Sequence, residues 1–400
     1  MDPLQELLDW ATSHGVKLNG IAPERIPGRG IGVLATRDIQ ADEIVLDVPT
    51  KCLRTLSTVP KARLRRLGGD TRISVHGILA ADLALDASGK FTPWDAVVPR
   101  PEDLAGMPLT WRPDLQGLLP RRAAELLAAQ EAKFARDWDV VAAAFPELKG
   151  TGKKGKKGEE EREREREGME KYRHAWLLVN SRTFYYLDAA LKRRRGTTRD
   201  DHMALQPVAD LFNHTDEAGC HVAFGGDGFA FRATAPCREG EEVRICYGRH
   251  GGDFLLVEYG FVMAENCWDE VLLDEVVLKR LDEGQKERLE DAGFLGRYVL
   301  DRDTVCHRTQ VALRLLCCKV GEWMRFVNGT DDGEASQGAV DALLLELLRE
   351  YAVTAKGTIE RTRALEVGER SQVDMLIERW EQIRKLVDTR IASLEGEIIT

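Results

Sequence analysis

The apolar positions of this chain change their period several times. Leu4, Leu7, Leu8 and Trp10 share one side of a helix over residues 3–14. Ile31, Val33 and Ala35, then Ile44, Leu46 and Val48, alternate around the polar stretch 36–43 and predict two short strands. Helical spacing returns over 61–145, as in Ala123, Leu126, Leu127 and Phe134, and again over 169–195. Alternation resumes from 207 to 262. There, 220–224 and 229–234 flank Gly-Gly-Asp-Gly and predict a hairpin, 243–247 a further strand, and 253–259 a helix.

Beyond residue 262 three helical stripes take over. One holds Val311, Leu315, Leu316, Val320 and Trp323. A second holds Val340, Leu344, Leu347, Leu348 and Tyr351, and a third Val373, Leu376, Ile377, Trp380, Ile383 and Val387. Spacings of three and four are those of core-facing helices, so a separate helical domain is expected to begin near residue 264. No internal repeat is present. Residues 149–168, lysines and glycines followed by alternating Glu and Arg, offer nothing apolar to bury. They are expected to be a disordered or frayed connection inside a helical region. The lysines of 153–157 read either as a solvated loop or as a nuclear localisation signal.

Composition narrows the class. Four hundred residues suit two or three domains, and 43% hydrophobic with 31% charged residues is a globular balance. No apolar run reaches the roughly eighteen residues of a membrane helix. Met1-Asp2-Pro3 lacks the basic-then-apolar opening of a signal peptide, so an intracellular protein is expected, cytoplasmic and also nuclear. A net charge of −10 argues against a general nucleic-acid binder and is compatible with a basic protein partner. The eight cysteines form no Cys-x-x-Cys pair and no Cys/His group has zinc-ligand spacing. Free buried thiols and no metal site are expected.

Three stretches carry candidate chemistry, each of them weak by itself. Gly28-Arg29-Gly30-Ile31-Gly32 precedes a strand. A dinucleotide site would need the strand before the glycines and a helix after them, so these glycines offer either a tight turn or close backbone approach to a ligand. Asp210-Leu-Phe-Asn213-His214-Thr215 lies between an apolar segment and the hairpin, and reads as a satisfied structural network or as a site. Gly240-Glu-Glu-Val-Arg-Ile-Cys-Tyr247-Gly248 is followed by Glu258-Tyr259-Gly260-Phe261. A tyrosine at a strand end is ordinary.

Their order and spacing together resemble the SET-domain methyltransferases. Residues 30–43 look like that family's first two strands, and the match is to the Rubisco large-subunit methyltransferase branch. That branch includes ribosomal-protein and elongation-factor lysine methyltransferases and an actin-histidine methyltransferase. The motifs cover roughly residues 5–50 and 172–263. The resemblance implies an α+β fold: a SET-domain β-fold of small sheets with a pseudo-knot over 1–263, a helical insertion at about 60–175, and an all-α substrate-binding domain over 264–400.

The same resemblance implies S-adenosylmethionine as cofactor, with Arg29, Gly30 and Ile31 lining its pocket. Arg182 would approach the cofactor carboxylate, as charge-assisted pairing favours. Asp210, Asn213 and His214 would hold its methionine and adenine parts. Tyr247 would stand at the methyl-transfer channel, also touching cofactor, with Tyr259 and Phe261 as channel walls. The expected activity is N-methylation of lysine in a non-histone protein of the ribosomal-protein or translation-factor class. A histidine target, or a catalytically weak binding module, is the alternative. No membrane or direct nucleic-acid partner and a monomeric state are expected. Relatives often carry Ser-Asn where this chain has Gly251 and Gly252, a change expected to loosen the loop.

Overall fold

The computed structural model describes residues 2–67, 72–148, 159–188, 191, 198–217, 219–225, 227–366 and 368–399. The lysine cluster 153–157 and the rest of 149–158 lie outside the described residues. Two compact units emerge. One comprises Met1–Leu104 with Ala129–Arg249, the other Ala105–Ala128 with His250–Thr400.

The first unit opens with helix Pro3–Ser13, capped by the Asp2 side chain accepting from the Leu4 N–H and burying Leu4, Leu7 and Ala11. Its strands are β1 Lys17–Leu18, β2 Ile21–Ile26, β3 Gly30–Ala35, β4 Ile44–Pro49, β5 Thr183–Tyr185, β6 Met203–Leu205, β7 Cys220–Gly225 and β8 Gly228–Ala233. They form a four-stranded sheet in the order β1-β4-β8-β7 and two antiparallel ribbons, β2-β3 and β5-β6. A bulge between Ile44 and Leu46 lets the consecutive side chains of Val45 and Leu46 both be buried while Ile44 stays exposed. The predicted hairpin is β7-β8, paired from Cys220 opposite Ala233 to Gly225 opposite Gly228.

Residues 243–247 are not a ladder strand. They make single bridges, because different partners pair with successive residues of the segment. Val243 N–H donates to the Val33 carbonyl at 2.8 Å. Two residues on, Ile245 N–H donates to the Asn213 carbonyl at 3.0 Å and Thr215 N–H to the Ile245 carbonyl at 2.9 Å. These pairings bring the three motif stretches together.

Helices of the insertion hold the remaining part of the site. Helix Glu159–Arg182 packs on helix Val75–Ala84, where the buried His76 ring stacks on Trp176 at 4.0 Å between centroids. Asp137 accepts hydrogen bonds from the Ser74 backbone (2.8 Å), the Ser74 hydroxyl (2.7 Å) and the Trp176 indole (3.1 Å). The expectation of disorder over 149–168 fails for 159–168, which are the opening turns of this helix. Glu and Arg are good helix formers, and four-residue pairs such as Arg166–Glu170 at 3.5 Å support them. The helix ends at Arg182 rather than near 195, since the β-prone Thr183-Phe184-Tyr185 pairs with β6.

In the second unit the predicted stripes are buried along helices Glu334–Arg363 and Arg370–Ile399. The first stripe is two helices, His307–Cys317 and Val320–Val327, so Val320 begins a new helix and is 45% exposed. Two strands absent from the periodicity, β9 Glu270–Leu272 and β10 Val299–Asp301, pair antiparallel among these helices. At three residues each they are too short to alternate visibly.

Candidate active site

The site assembles from the turn between β2 and β3, the end of helix Glu159–Arg182, the 3₁₀ turn Ala209–Leu211 with the residues after it, and the extended segment 241–247. Gly28 and Gly30 have φ of +76° and +75°, a left-handed conformation that glycine adopts without strain. Gly32 is close-packed: a Cβ there would lie 2.8 Å from Glu242 Oε1 and 2.9 Å from Asn213 Nδ2. Val208, just before the 3₁₀ turn, has φ +68°, a costly conformation for a β-branched residue.

Asn213 Nδ2 donates to Glu242 Oε1 at 2.7 Å. Glu242 Oε2 accepts from Arg29 Nη1 at 2.9 Å and from Arg244 Nε at 2.8 Å. Burial pushes the Glu242 carboxyl upward, but these donors and the two guanidinium charges outweigh it and hold it below its usual range. Asp210 is 6% exposed. Its Oδ2 accepts from the Trp94 indole at 3.0 Å, and its backbone carbonyl accepts from Arg182 Nη1. Burial raises the Asp210 carboxyl, and Arg182 only partly opposes it.

Tyr247 closes the group. Its N–H donates to His214 Nδ1 at 3.1 Å, which places the imidazole proton on Nε2. Its hydroxyl donates to the Phe212 carbonyl at 2.6 Å, and its ring centroid lies 5.0 Å from that of His214. Burial drives the phenol up to about 12. Arg182 pulls it down, while Asp210 and Glu242 add to the rise. Tyr247 therefore stays protonated at neutral pH, its hydroxyl proton engaged by the Phe212 carbonyl.

Thus Arg29, Arg182, Asp210, Asn213, His214 and Tyr247 are joined by hydrogen bonds or direct charge interactions, with Gly30 and Ile31 in the adjoining turn. Tyr259 and Phe261 belong to the second unit, in a row of rings with His250 and Phe254. Sequence reasoning passed over Trp94, Glu242, Arg244 and Gln206. Glu242 and Arg244 sat inside a quoted motif, and their alternation with Val243 and Ile245 was the available signal. Trp94 carried none. Gln206 is fully buried, with neither side-chain amide atom hydrogen-bonded among the described residues. Arg182 Nε and Asp210 Oδ1 are likewise buried without a hydrogen-bond partner among the described residues. Among those residues no group of three or more His, Cys, Asp or Glu is placed to hold a metal ion. None of their helices is long and apolar enough to cross a membrane.

Known proteins resemble this chain over most of its length. The ribosomal lysine N-methyltransferase set11 of Schizosaccharomyces pombe is 24% identical over 382 residues, covering 91% of each chain. SET domain-containing protein 4 of Mus musculus is 26% identical over 424 residues, covering 99% of this chain and 91% of that one. Among solved structures, the SET domain of LSMT bound to lysine and AdoHcy superposes with a TM-score of 0.65 at 15% identity, over 100% of this chain and 92% of that one. The family model for the ribosomal lysine N-methyltransferase 2 C-terminal domain matches residues 269–393. The SET domain model matches residues 30–248, more than half of the chain. The chain belongs to the SET-domain family.

Proposed function

We propose that this protein is an S-adenosylmethionine-dependent protein-lysine N-methyltransferase whose substrate is a non-histone protein, of the ribosomal-protein class. The observation that carries the proposal is Tyr247, its hydroxyl anchored on the Phe212 carbonyl and its backbone N–H on His214, the neighbour of the Asn213 that pairs with Glu242. The activity and substrate named for the Schizosaccharomyces pombe relative support it.

The residues fit the cofactor. Arg182 Nε is a buried donor without a hydrogen-bond partner among the described residues, suited to the cofactor carboxylate. Asn213 and His214 stand beside the β2-β3 turn, where Arg29, Gly30 and Ile31 offer mostly backbone. Glu242 is already neutralised by Arg29 and Arg244, so it does not repel an incoming carboxylate. When bound, S-adenosylmethionine supplies an electrophilic methyl group on a sulfonium.

The chain's own work is alignment. The Tyr247 hydroxyl donates a hydrogen bond to the Phe212 carbonyl, which fixes its oxygen as an acceptor for the polarised methyl hydrogens and for the amine of the target. Held up at about 12, it is no base at neutral pH. The target ammonium, with an ordinary pKa of about 10.4, must arrive or become neutral, which an apolar channel favours. We assign that channel's walls to Tyr259 and Phe261. We divide the chain into a catalytic domain over 1–263 and a substrate-binding domain over 264–400. We also propose a monomer acting in cytoplasm and nucleus, without direct nucleic-acid contact, in keeping with the net charge of −10.

The test is methyl transfer from labelled S-adenosylmethionine to ribosomal proteins purified from cells lacking the enzyme. Tyr247→Phe should lower kcat by roughly 10²-fold or more while binding S-adenosylhomocysteine as before. An unchanged rate removes Tyr247 from the chemistry.

A further inference from the structure

Arg379 is fully buried within the second unit. Its Nε donates to Asp253 Oδ1 and its Nη1 to Asp269 Oδ2, each at 2.7 Å, and its Nη2 reaches the Glu270 carbonyl at 3.3 Å. Two more residues on the same side of helix Arg370–Ile399 reach the same stretch of chain. Gln382 Nε2 donates to the Met263 carbonyl at 2.6 Å, and Lys385 pairs with Glu265 at 3.2 Å. Residues 252–270 are therefore gripped along their length by positions 379, 382 and 385 of one helix.

Gly252 belongs to this grip. Its N–H donates to Asp269 Oδ1 at 2.9 Å, and a Cβ there would lie 2.5 Å from Arg379 Nη1 and 2.7 Å from its Cζ. The Gly251 and Gly252 pair, expected to loosen this loop, instead starts helix Gly252–Tyr259 flush against the guanidinium. That helix and its flanks carry a half-exposed row of rings. His250 stacks on Phe254 at 4.1 Å, Phe254 lies 6.4 Å from Tyr259, and Tyr259 lies 6.3 Å from Phe261.

A buried guanidinium with two carboxylates adds little net stability over apolar packing, since desolvation offsets the attraction. What it adds over apolar packing is direction: two short charged contacts fix both ends of one segment at once. We propose that Arg379 is a positioning residue for the reaction, holding helix Gly252–Tyr259 so that the rings of His250, Phe254, Tyr259 and Phe261 meet the lysine-bearing segment of the substrate. This rests on the methyltransferase function proposed above.

The test compares wild type with Gly252→Ala, Arg379→Lys and the charge-neutral triple variant Arg379→Met, Asp253→Asn, Asp269→Asn. Steady-state methylation uses ribosomal proteins from cells lacking the enzyme, with S-adenosylhomocysteine affinity measured alongside. Gly252→Ala and the triple variant should raise KM for the protein substrate by roughly 10-fold to 10²-fold, with cofactor affinity unchanged. Arg379→Lys, which keeps one ion pair, should fall between them and wild type. Hydrogen exchange should quicken over 250–262 and stay unchanged in Met1–Leu104. A merely structural role lowers the active fraction without moving KM. Wild-type KM in the folded variants overturns the proposal. No transfer by the wild type overturns the proposed function itself.

Discussion

At the scale of single residues, the protonation states of Tyr247 and the target amine set the pH dependence. Tyr247 is held up at about 12, so it keeps its proton throughout the working range. The species that limits the rate is then the neutral amine of the target, whose ordinary pKa is about 10.4. The expected profile of kcat/KM rises from neutral pH toward about 10 with no downturn from Tyr247. A bell-shaped profile falling below about pH 9 would mean that an acid titrates in this site near neutrality.

Glu242 has the opposite sign. Its folded pKa lies below the ordinary value, so its contribution is full above the ordinary range and is lost as pH falls through the folded value. Glu242→Gln should cost about 1–3 kcal/mol at neutral pH, less Arg29's share because that side chain is 57% exposed. Urea denaturation at pH 7 and in mild acid should show the gap between mutant and wild type narrowing in acid. A gap that persists there contradicts the charge-based account.

At the scale of elements, the site depends on how closely β3 approaches segment 241–247 and residue Asn213. Gly32→Ala would thrust a methyl group against Ile26 as well as Glu242 and Asn213. Overpacking of this kind costs about 1–3 kcal/mol, so S-adenosylhomocysteine affinity should fall about tenfold or more. Calorimetric titration checks this, and wild-type affinity would show that the approach is not needed. Elements with long, regular periodicity were legible in the sequence: β3, β4, the β7-β8 hairpin and the two long C-terminal helices. The short pairings β5-β6 and β9-β10 were not, since three residues carry no period and their partners lie far along the chain. Nor was the helical character of 159–168, which comes from propensity and ion pairs without any apolar face.

At the scale of the whole molecule, the order of the motifs identified the family, while their geometry needed the fold. Residues 28–32, 210–215 and 240–248 are far apart in sequence and meet because segment 241–247 is bridged first to β3 and then to residues 213–215. The residues behind that meeting point, Trp94 against Asp210 and Gln206 near it, belong to no motif and became visible only through burial and hydrogen bonding. Phe212 ties this level to the core: 1% exposed and stacked on Phe231 at 5.4 Å, it also supplies the carbonyl that holds Tyr247. Phe212→Ala should cost about 3–5 kcal/mol by thermal or chemical denaturation. A loss below about 1 kcal/mol would mean that the site is not built on that core.

The most direct measurement of the central claim is mass-spectrometric location of the methyl group. Ribosomal proteins from cells lacking the enzyme are incubated with labelled S-adenosylmethionine and either wild type or Tyr247→Phe. The account predicts a labelled lysine with the wild type and none with the variant, both enzymes binding cofactor equally. Label on a histidine, or no label despite bound cofactor, would contradict it.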